Sequence, residues 1–288
     1  MKPKDWAAFI LLGLVWGTSF LWIKIAVKEI GPLLLVSLRL LIGILGLLVY
    51  VGWTKPKFPL DRQTWIQLTI LGLINNAIPY LLISWGEIYI DSAVAAILNS
   101  TAPLFTMVLA HFFLTDDPMT SKRVIALFIG FLGIVVLMER DLNGVLVRGV
   151  LGQLAVLTAA VFYAISSIYA RRITSDQPAA IRAIMPLIGA DILVWMITPI
   201  AEHPIVLPTL PITWLAVIWL GIMGVSLAYI LYFYLLHSVG PTRTVLVTYV
   251  FPLVGVILGV LYLGETLDWN LIVGGLMVIG GIVLVNRQ

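Results

Sequence analysis

The chain has 288 residues, 61% hydrophobic and 11% charged, with a mean hydropathy of +1.09. A soluble domain carries about 25% charged residues, and the apolar residues here fall in long blocks, which excludes a water-soluble globule and indicates a polytopic membrane protein. The net charge of +3 and pI near 9.1 do not indicate nucleic acid, because the basic residues sit in short loops flanked by apolar runs; the absence of cysteine removes disulfides, thiolate metal sites and cysteine nucleophiles.

Apolar stretches of about 20 residues, enough to cross about 30 Å of hydrocarbon, predict ten spans. They lie near 6–27, 33–53, 65–86, 92–114, 122–138, 149–170, 180–200, 213–236, 243–263 and 268–286. The expected fold class is all-α and polytopic. The first run follows Met1-Lys-Pro-Lys-Asp and is longer than the apolar core of a cleavable signal, so it reads as a retained span. Trp16 and Ser19 share one of its faces, and Trp16 lies too deep for an interfacial belt. In the second span Arg39 is long enough to snorkel towards the surface, and Gly43 and Gly46 mark a close-packing position.

The third span carries Asn76, Tyr80, Ser84 and Glu87 at i, i+4, i+8 and i+11, within about 80° of one helix face. Such a face turns from lipid, and is either a hydrogen-bond seam between helices or the wall of a cavity. In the fourth span Pro103 cannot donate a hydrogen bond and pushes away the carbonyl of Asn99, so a break is expected there. Backbone freed in lipid must be re-satisfied by protein or line a wet cavity, which makes Asn99 a candidate ligand and Pro103 a candidate gate. His111, alone near the end of this span, reads as structural. The fifth and tenth spans are almost wholly apolar, with Gly130/Gly133 and Gly274/Gly275 as packing positions, and are assigned to scaffolding or dimer contact.

Tyr163 and Ser166 share a face of the sixth span, as Trp16 and Ser19 do in the first. Asp191 lies near the middle of the seventh, where a carboxylate costs about 3 kcal/mol on insertion scales. It therefore needs an ion pair, a hydrogen bond from a neighbouring helix, water or a proton, and proton coupling is one of these outcomes. Ser226, Tyr229 and Phe233 form a second wall in the eighth span. In the ninth, Pro252 stands four residues after Thr248, as Pro103 does after Asn99. Glu265 follows this span, placed to cap backbone or to join a gate.

Lysine and arginine orient the chain. With a cytoplasmic N-terminus the inner regions hold twelve, namely Lys2, Lys4, Lys55, Lys57, Arg62, Lys122, Arg123, Arg171, Arg172, Arg182, Arg243 and Arg287; the outer ones hold four, Lys24, Lys28, Arg140 and Arg148. Both termini are expected in the cytoplasm, in a plasma (inner) membrane.

An internal repeat runs at nearly constant spacing. At an offset of 149, Gly72 matches Gly221, Tyr80 matches Tyr229, Pro103-Leu104 matches Pro252-Leu253, and Leu114-Thr-Asp116 matches Leu263-Gly-Glu265. At 147, Trp16, Gly17, Ser19, Trp22 and Lys24 face Tyr163, Ala164, Ser166, Tyr169 and Arg171. The units are 1–140 and 149–288. Five spans each is an odd number, so the copies lie in opposite orientations, the plan of secondary transporters with broken helices and a midplane site.

On Trp16-Gly17, Pro32 with Arg39, Asn99 with Pro103, Pro252 and Leu263-Gly264-Glu265, the chain resembles the drug/metabolite transporter superfamily, specifically its ten-helix EamA-type exporters. The likeness covers essentially the whole chain; Tyr163-Ala164 departs from it, where many relatives carry tryptophan. The resemblance implies two five-helix units, a shared structural role for Arg39, and outward transport of amino acids, related metabolites or toxic analogues.

The expected function is thus a secondary transporter working by alternating access, with one small-molecule substrate, no cofactor, no metal, no nucleic-acid partner, and a monomeric or homodimeric state. Its candidate ligands are Trp16, Ser19, Asn76, Tyr80, Asn99, Tyr163, Ser166, Tyr229 and Thr248, the aromatic faces suiting flat apolar or cationic groups. A channel or lipid-moving scaffold is the alternative. A nucleotide-sugar carrier is disfavoured by the few basic residues within spans, an intramembrane enzyme by three scattered histidines without a reacting partner set, and ATP coupling by the lack of a Walker motif.

Overall fold

The computed structural model describes residues 1–59, 61–113, 119–142, 147–174 and 177–286, and the side chains of 140–142, 147, 242, 285 and 286 are not among those described. The Leu114-Thr-Asp116 segment of the repeat, the Arg140 side chain and Arg287 therefore lie outside the described residues.

The regular structure described is helical throughout. Helix α1 spans Pro3–Ala26, α2 Pro32–Thr54, α3 Arg62–Gly72, α4 Ile78–Tyr89, α5 Ser92–Asn99, α6 Ala102–Phe113 and α7 Ser121–Leu142. The second run is α8 Val147–Ile173, α9 Ala179–Ala201, α10 Pro211–Ile218, α11 Ala228–Val239, α12 Pro241–Val245, α13 Val250–Leu263 and α14 Trp269–Asn286. Among the described residues, nine helical stretches are long and apolar enough to cross a membrane, and Trp269–Leu284 supplies a shorter tenth. The chain is a multi-pass integral membrane protein, and the ten expected spans correspond to these stretches.

Helices start and stop where local chemistry allows. Proline stands at the first position of α1, α2, α10 and α12, where its missing N–H is an orphan in any helix. Helix α13 ends at Gly264, whose φ of 68° is the left-handed conformation glycine adopts without strain. Both proline-linked breaks are present. Between α5 and α6, Ser100 Oγ and Thr101 Oγ1 each donate at 2.6 Å to the carbonyls of Ile97 and Leu98. In the ninth crossing α12 passes through a 3-10 turn, Leu246–Tyr249, before α13, and Thr248 Oγ1 donates to the Val245 carbonyl at 2.8 Å. The hydroxyls at both breaks thus bond back to carbonyls of the turn before them, and those of Ile97 and Leu98 also accept from the backbone N–H groups of Ser100 and Thr101.

Two other irregularities were not expected. The third crossing winds into a π turn at Leu73–Ala77, between α3 and α4, and the eighth does so at Trp219–Leu227, between α10 and α11. Each wider turn re-aims the residues around it, and both face the centre of the bundle, where α2 packs against Trp219–Leu227 and α9 against Leu73–Ala77.

Glycines let backbones meet where lipid supplies no hydrophobic drive between helices. A Cβ on Gly86 would lie 2.8 Å from the Gly152 carbonyl, and α4 lies against α8 there. Helices α7 and α14 pair in the same way: a Cβ on Gly133 would lie 2.7 Å from the Gly274 carbonyl. A Cβ on Gly281 would stand 2.7 Å from the Ala126 carbonyl and 2.9 Å from Gly130 Cα, whereas one on Gly280 would meet nothing within 4 Å. Gly281→Val is therefore expected to cost about 1–3 kcal/mol by overpacking, seen as a lower unfolding midpoint in detergent, and Gly280→Val to leave that midpoint unchanged.

At the end of the bundle remote from the N-terminus, three glutamates close on helix N-termini of the opposite run. Glu202, after α9, accepts from the Leu33 and Leu34 N–H groups of α2 at 2.8 and 2.9 Å. Glu265, after α13, accepts from Ser92 and Ala93 of α5 at 2.7 and 3.0 Å. Glu29, after α1, accepts from Thr209 and Leu210 N–H at 2.7 and 3.1 Å and from Thr209 Oγ1 at 2.6 Å, just before α10. Each carboxylate satisfies orphan donors at the positive end of a helix dipole. Glu265 thus takes the capping role open to it in sequence. The Thr209 hydroxyl, with the backbone donors beside it, holds the Glu29 carboxyl down to about 2. Because this value lies below the ordinary carboxylate range, the contact is fully present above that range and is lost only as pH falls through about 2. Acidifying the medium from about pH 7 to about pH 5 is expected to leave protease protection of the 203–210 loop unchanged.

Candidate substrate site

The π turn in the third crossing places two consecutive asparagines against the second run. Asn75 Nδ2 donates to the Tyr229 hydroxyl at 3.2 Å, and that hydroxyl donates in turn to Asn76 Oδ1. Ser166 Oγ lies 2.7 Å from Asn75 Oδ1 and 2.8 Å from its own helix at the Tyr163 carbonyl, so one hydroxyl proton is shared between two acceptors. Asn76 is 1% exposed, and its Nδ2 has no partner. The cluster therefore joins α8 and α11 to the first run and still holds an unused donor.

One turn further along α4, Tyr80 is buried beneath the Arg39 guanidinium, whose carbon stands 3.7 Å from the ring centroid. Arg39 is 4% exposed and its Nε has no partner. Arg39 does not take the path to the surface that its length allows; its guanidinium stays in the interior over the Tyr80 face. A Cβ on Gly224, in the second π turn, would lie 3.5 Å from Arg39 Nη2 and 3.4 Å from Ser19 Oγ. Trp16 Nε1 donates to the Gly224 carbonyl at 3.1 Å, and its ring meets Phe251 and Tyr232 at centroid distances of 5.8 and 5.9 Å. Tyr163 packs against the apolar core on both of its sides, and its carbonyl accepts from Ser166.

The structure thus brings together Trp16, Ser19, Arg39, Asn76, Tyr80, Tyr163, Ser166 and Tyr229. Ser19 Oγ itself donates to the Val15 carbonyl at 3.3 Å. Asn99 and Thr248 sit at the two helix breaks with Pro103 and Pro252, and no hydrogen bond among the described residues links them to the cluster. Asn99 Oδ1 is buried with no partner. Asp191 is 6% exposed and its Oδ1 has none either, so the ion pair or interhelical hydrogen bond open to it in sequence is absent from that oxygen. A cleft of about 280 Å³ opens at the remote end, lined in part by Glu29, Leu34 and Glu202, and not at this cluster.

Two members escaped the sequence reading. Asn75 is adjacent to Asn76 and would point away from it on a regular α-helix, so only a π turn makes it a bridge. Arg182, counted with the loops, lies in the first turn of α9 with its guanidinium carbon 5.2 Å from the Phe233 centroid. Its neighbour Phe233 lies in another helix, so nothing local in the sequence marked the contact.

A model of the EamA-like transporter family matches residues 6–139 and again residues 150–287. The chain is 28% identical to the "Uncharacterized inner membrane transporter YedA" of Escherichia coli K12, over 91% of this chain and 83% of that one. It is 22% identical to the "Uncharacterized transporter YoaV" of Bacillus subtilis, covering 98% and 96%. Identity to a "Probable amino-acid metabolite efflux pump" of Salmonella typhimurium is 25%, covering 99% and 95%. One solved crystal structure shares the fold at a TM-score of 0.70 and 20% identity, over 99% of this chain and 98% of that one.

Proposed function

This chain belongs to the EamA-like transporter family, and from that premise we propose that it is a secondary carrier exporting a small organic solute, an amino acid or related metabolite. The solute would pass by alternating access between two inverted units, 1–140 and 149–288, with both termini in the cytoplasm, as the lysine and arginine distribution supports.

The observation that carries this reading is the shared ownership of the polar–aromatic cluster. Arg39, Asn75, Asn76 and Tyr80 come from the first run, and Tyr163, Ser166 and Tyr229 from the second. Rocking one run against the other would make and break this set. Unused donors on Arg39 and Asn76 suit a carboxylate, and the aromatic faces suit an apolar or cationic portion. The Salmonella relative's name points to the same class of solute.

Counterflow in sealed proteoliposomes tests the proposal, with labelled neutral and aromatic amino acids outside and the same unlabelled solute inside. Saturable accumulation of one compound is expected, and a channel would give none. No accumulation across the panel, in vesicles holding folded protein, would refute the amino-acid assignment.

A further inference from the structure

We infer that Glu87 is the proton-carrying group of this transporter. The inference rests on the carrier reading above and assigns its coupling to a residue on α4.

Glu87 is fully buried, and both carboxylate oxygens, Oε1 and Oε2, lack a hydrogen-bond partner. The charged groups that act on it are Lys24 from α1, Arg39 from α2 and Glu265 from the segment before α14. None of the three hydrogen-bonds its carboxylate. Lys24 Nζ donates to two backbone carbonyls at the end of α4, those of Glu87 at 2.5 Å and Ile90 at 2.8 Å. Arg39 lies over Tyr80, and Glu265 caps α5. Helix α8, packed on α4, contributes Arg148 over the Tyr89 ring at 5.9 Å and the buried, neutral Gln153. Asp91 is the remaining acid, at the N-cap of α5. Beside it Ser92 Oγ is buried without a partner, and a Cβ on Gly259 would lie 3.1 Å from that oxygen and in contact with Glu265 Oε2.

A carboxylate held away from water with no donor is strongly disfavoured as the anion, and a bound proton removes the charge. Among the described residues no group of three or more histidine, aspartate or glutamate side chains stands together to hold a metal ion. Asp191, the acid suggested by sequence, has one buried unpaired oxygen; Glu87 has two. The chemistry is a proton transfer only. An O–H bond forms on the carboxylate with a proton taken from water on one side of the membrane, and the same bond breaks to return the proton to water on the other side. With the solute moving outward, the proton moves inward.

The test has a spectroscopic arm and a transport arm on the full chain in liposomes. Titrated from alkaline to acidic pH, its infrared spectrum should gain a carboxylic C=O band that is absent in Glu87→Gln and retained in Asp191→Asn. This readout needs no substrate, so its failure is separable from failure of the carrier reading, which would appear as absent counterflow in the wild type. For an amino acid that gives counterflow, Glu87→Gln should keep exchange within about twofold while losing accumulation driven by a pH gradient by about tenfold or more. A merely structural role would lower both together. The inference is overturned if Glu87→Gln retains the band, if it retains pH-driven accumulation, or if Asp191→Asn alone uncouples. Should Glu87→Gln fail to fold, Glu87→Asp must shift the titration of the band, and an unshifted titration overturns the inference.

Discussion

Tyr229→Phe is expected to reduce counterflow by about tenfold to a hundredfold while leaving the protein folded, because one hydroxyl serves two amides of the opposite run. It accepts from Asn75 and donates to Asn76. Removing it leaves a buried donor and a buried acceptor unpaired, each at about 1–3 kcal/mol, and the Asn76 Nδ2 already has no partner for either N–H. The measurement is the half-saturation constant for counterflow beside the unfolding midpoint in detergent. A large rise in the constant, beside the fall in midpoint that two unpaired groups entail, means that the amides hold substrate. An unchanged constant with a lowered midpoint would reduce the cluster to a seam between helices, the other possibility for the polar face of the third span.

The second large effect concerns the clasp between Glu202 and α2. Its two charge-assisted hydrogen bonds are worth about 1.5–3 kcal/mol each, and Glu202→Gln retains a single neutral acceptor. A loss of about 2 kcal/mol would shift the balance between closed and open forms at that end by about thirtyfold. The natural absence of cysteine makes this directly measurable. Ser37 is fully buried on α2, one turn below the clasp, with its hydroxyl 2.8 Å from that of Thr198. With Ser37→Cys as reporter, labelling by a membrane-impermeant maleimide is expected to be slow in the parent and at least about tenfold faster once Glu202→Gln is added. Equal rates would mean that the clasp does not govern access.

The crossings, the two proline breaks and the glycine contacts were legible in sequence because each is a local rule acting on neighbours. Twenty apolar residues span hydrocarbon wherever they occur, Pro103 disturbs a carbonyl four residues away, and Gly133 must admit whatever lies beside it. What could not be read depended on distance or on a changed period. A template of 3.6 residues per turn selects Asn76 and discards Asn75, and only the extra residue of a π turn brings both to Tyr229. Arg39 could have reached the surface by its own length; Tyr80, in another helix, decided otherwise. Glu202 has no local mark of its role, since its donors lie in Leu33 and Leu34 of the other run. The polar faces of the third and eighth spans were visible as faces, but their meeting required the tertiary fold.

The crossed clasps also bear on inheritance. Each is written half in one repeat and half in the other, so a change at a glutamate is felt by the turn that receives it in the opposite half. The glutamate is the side chain that each clasp depends on, whereas the receiving turn offers backbone alone. A hybrid built from the first half of one relative and the second half of another would keep its lock wherever the contributing parent carries the glutamate, because the receiving donors are backbone N–H groups that any residue except proline supplies.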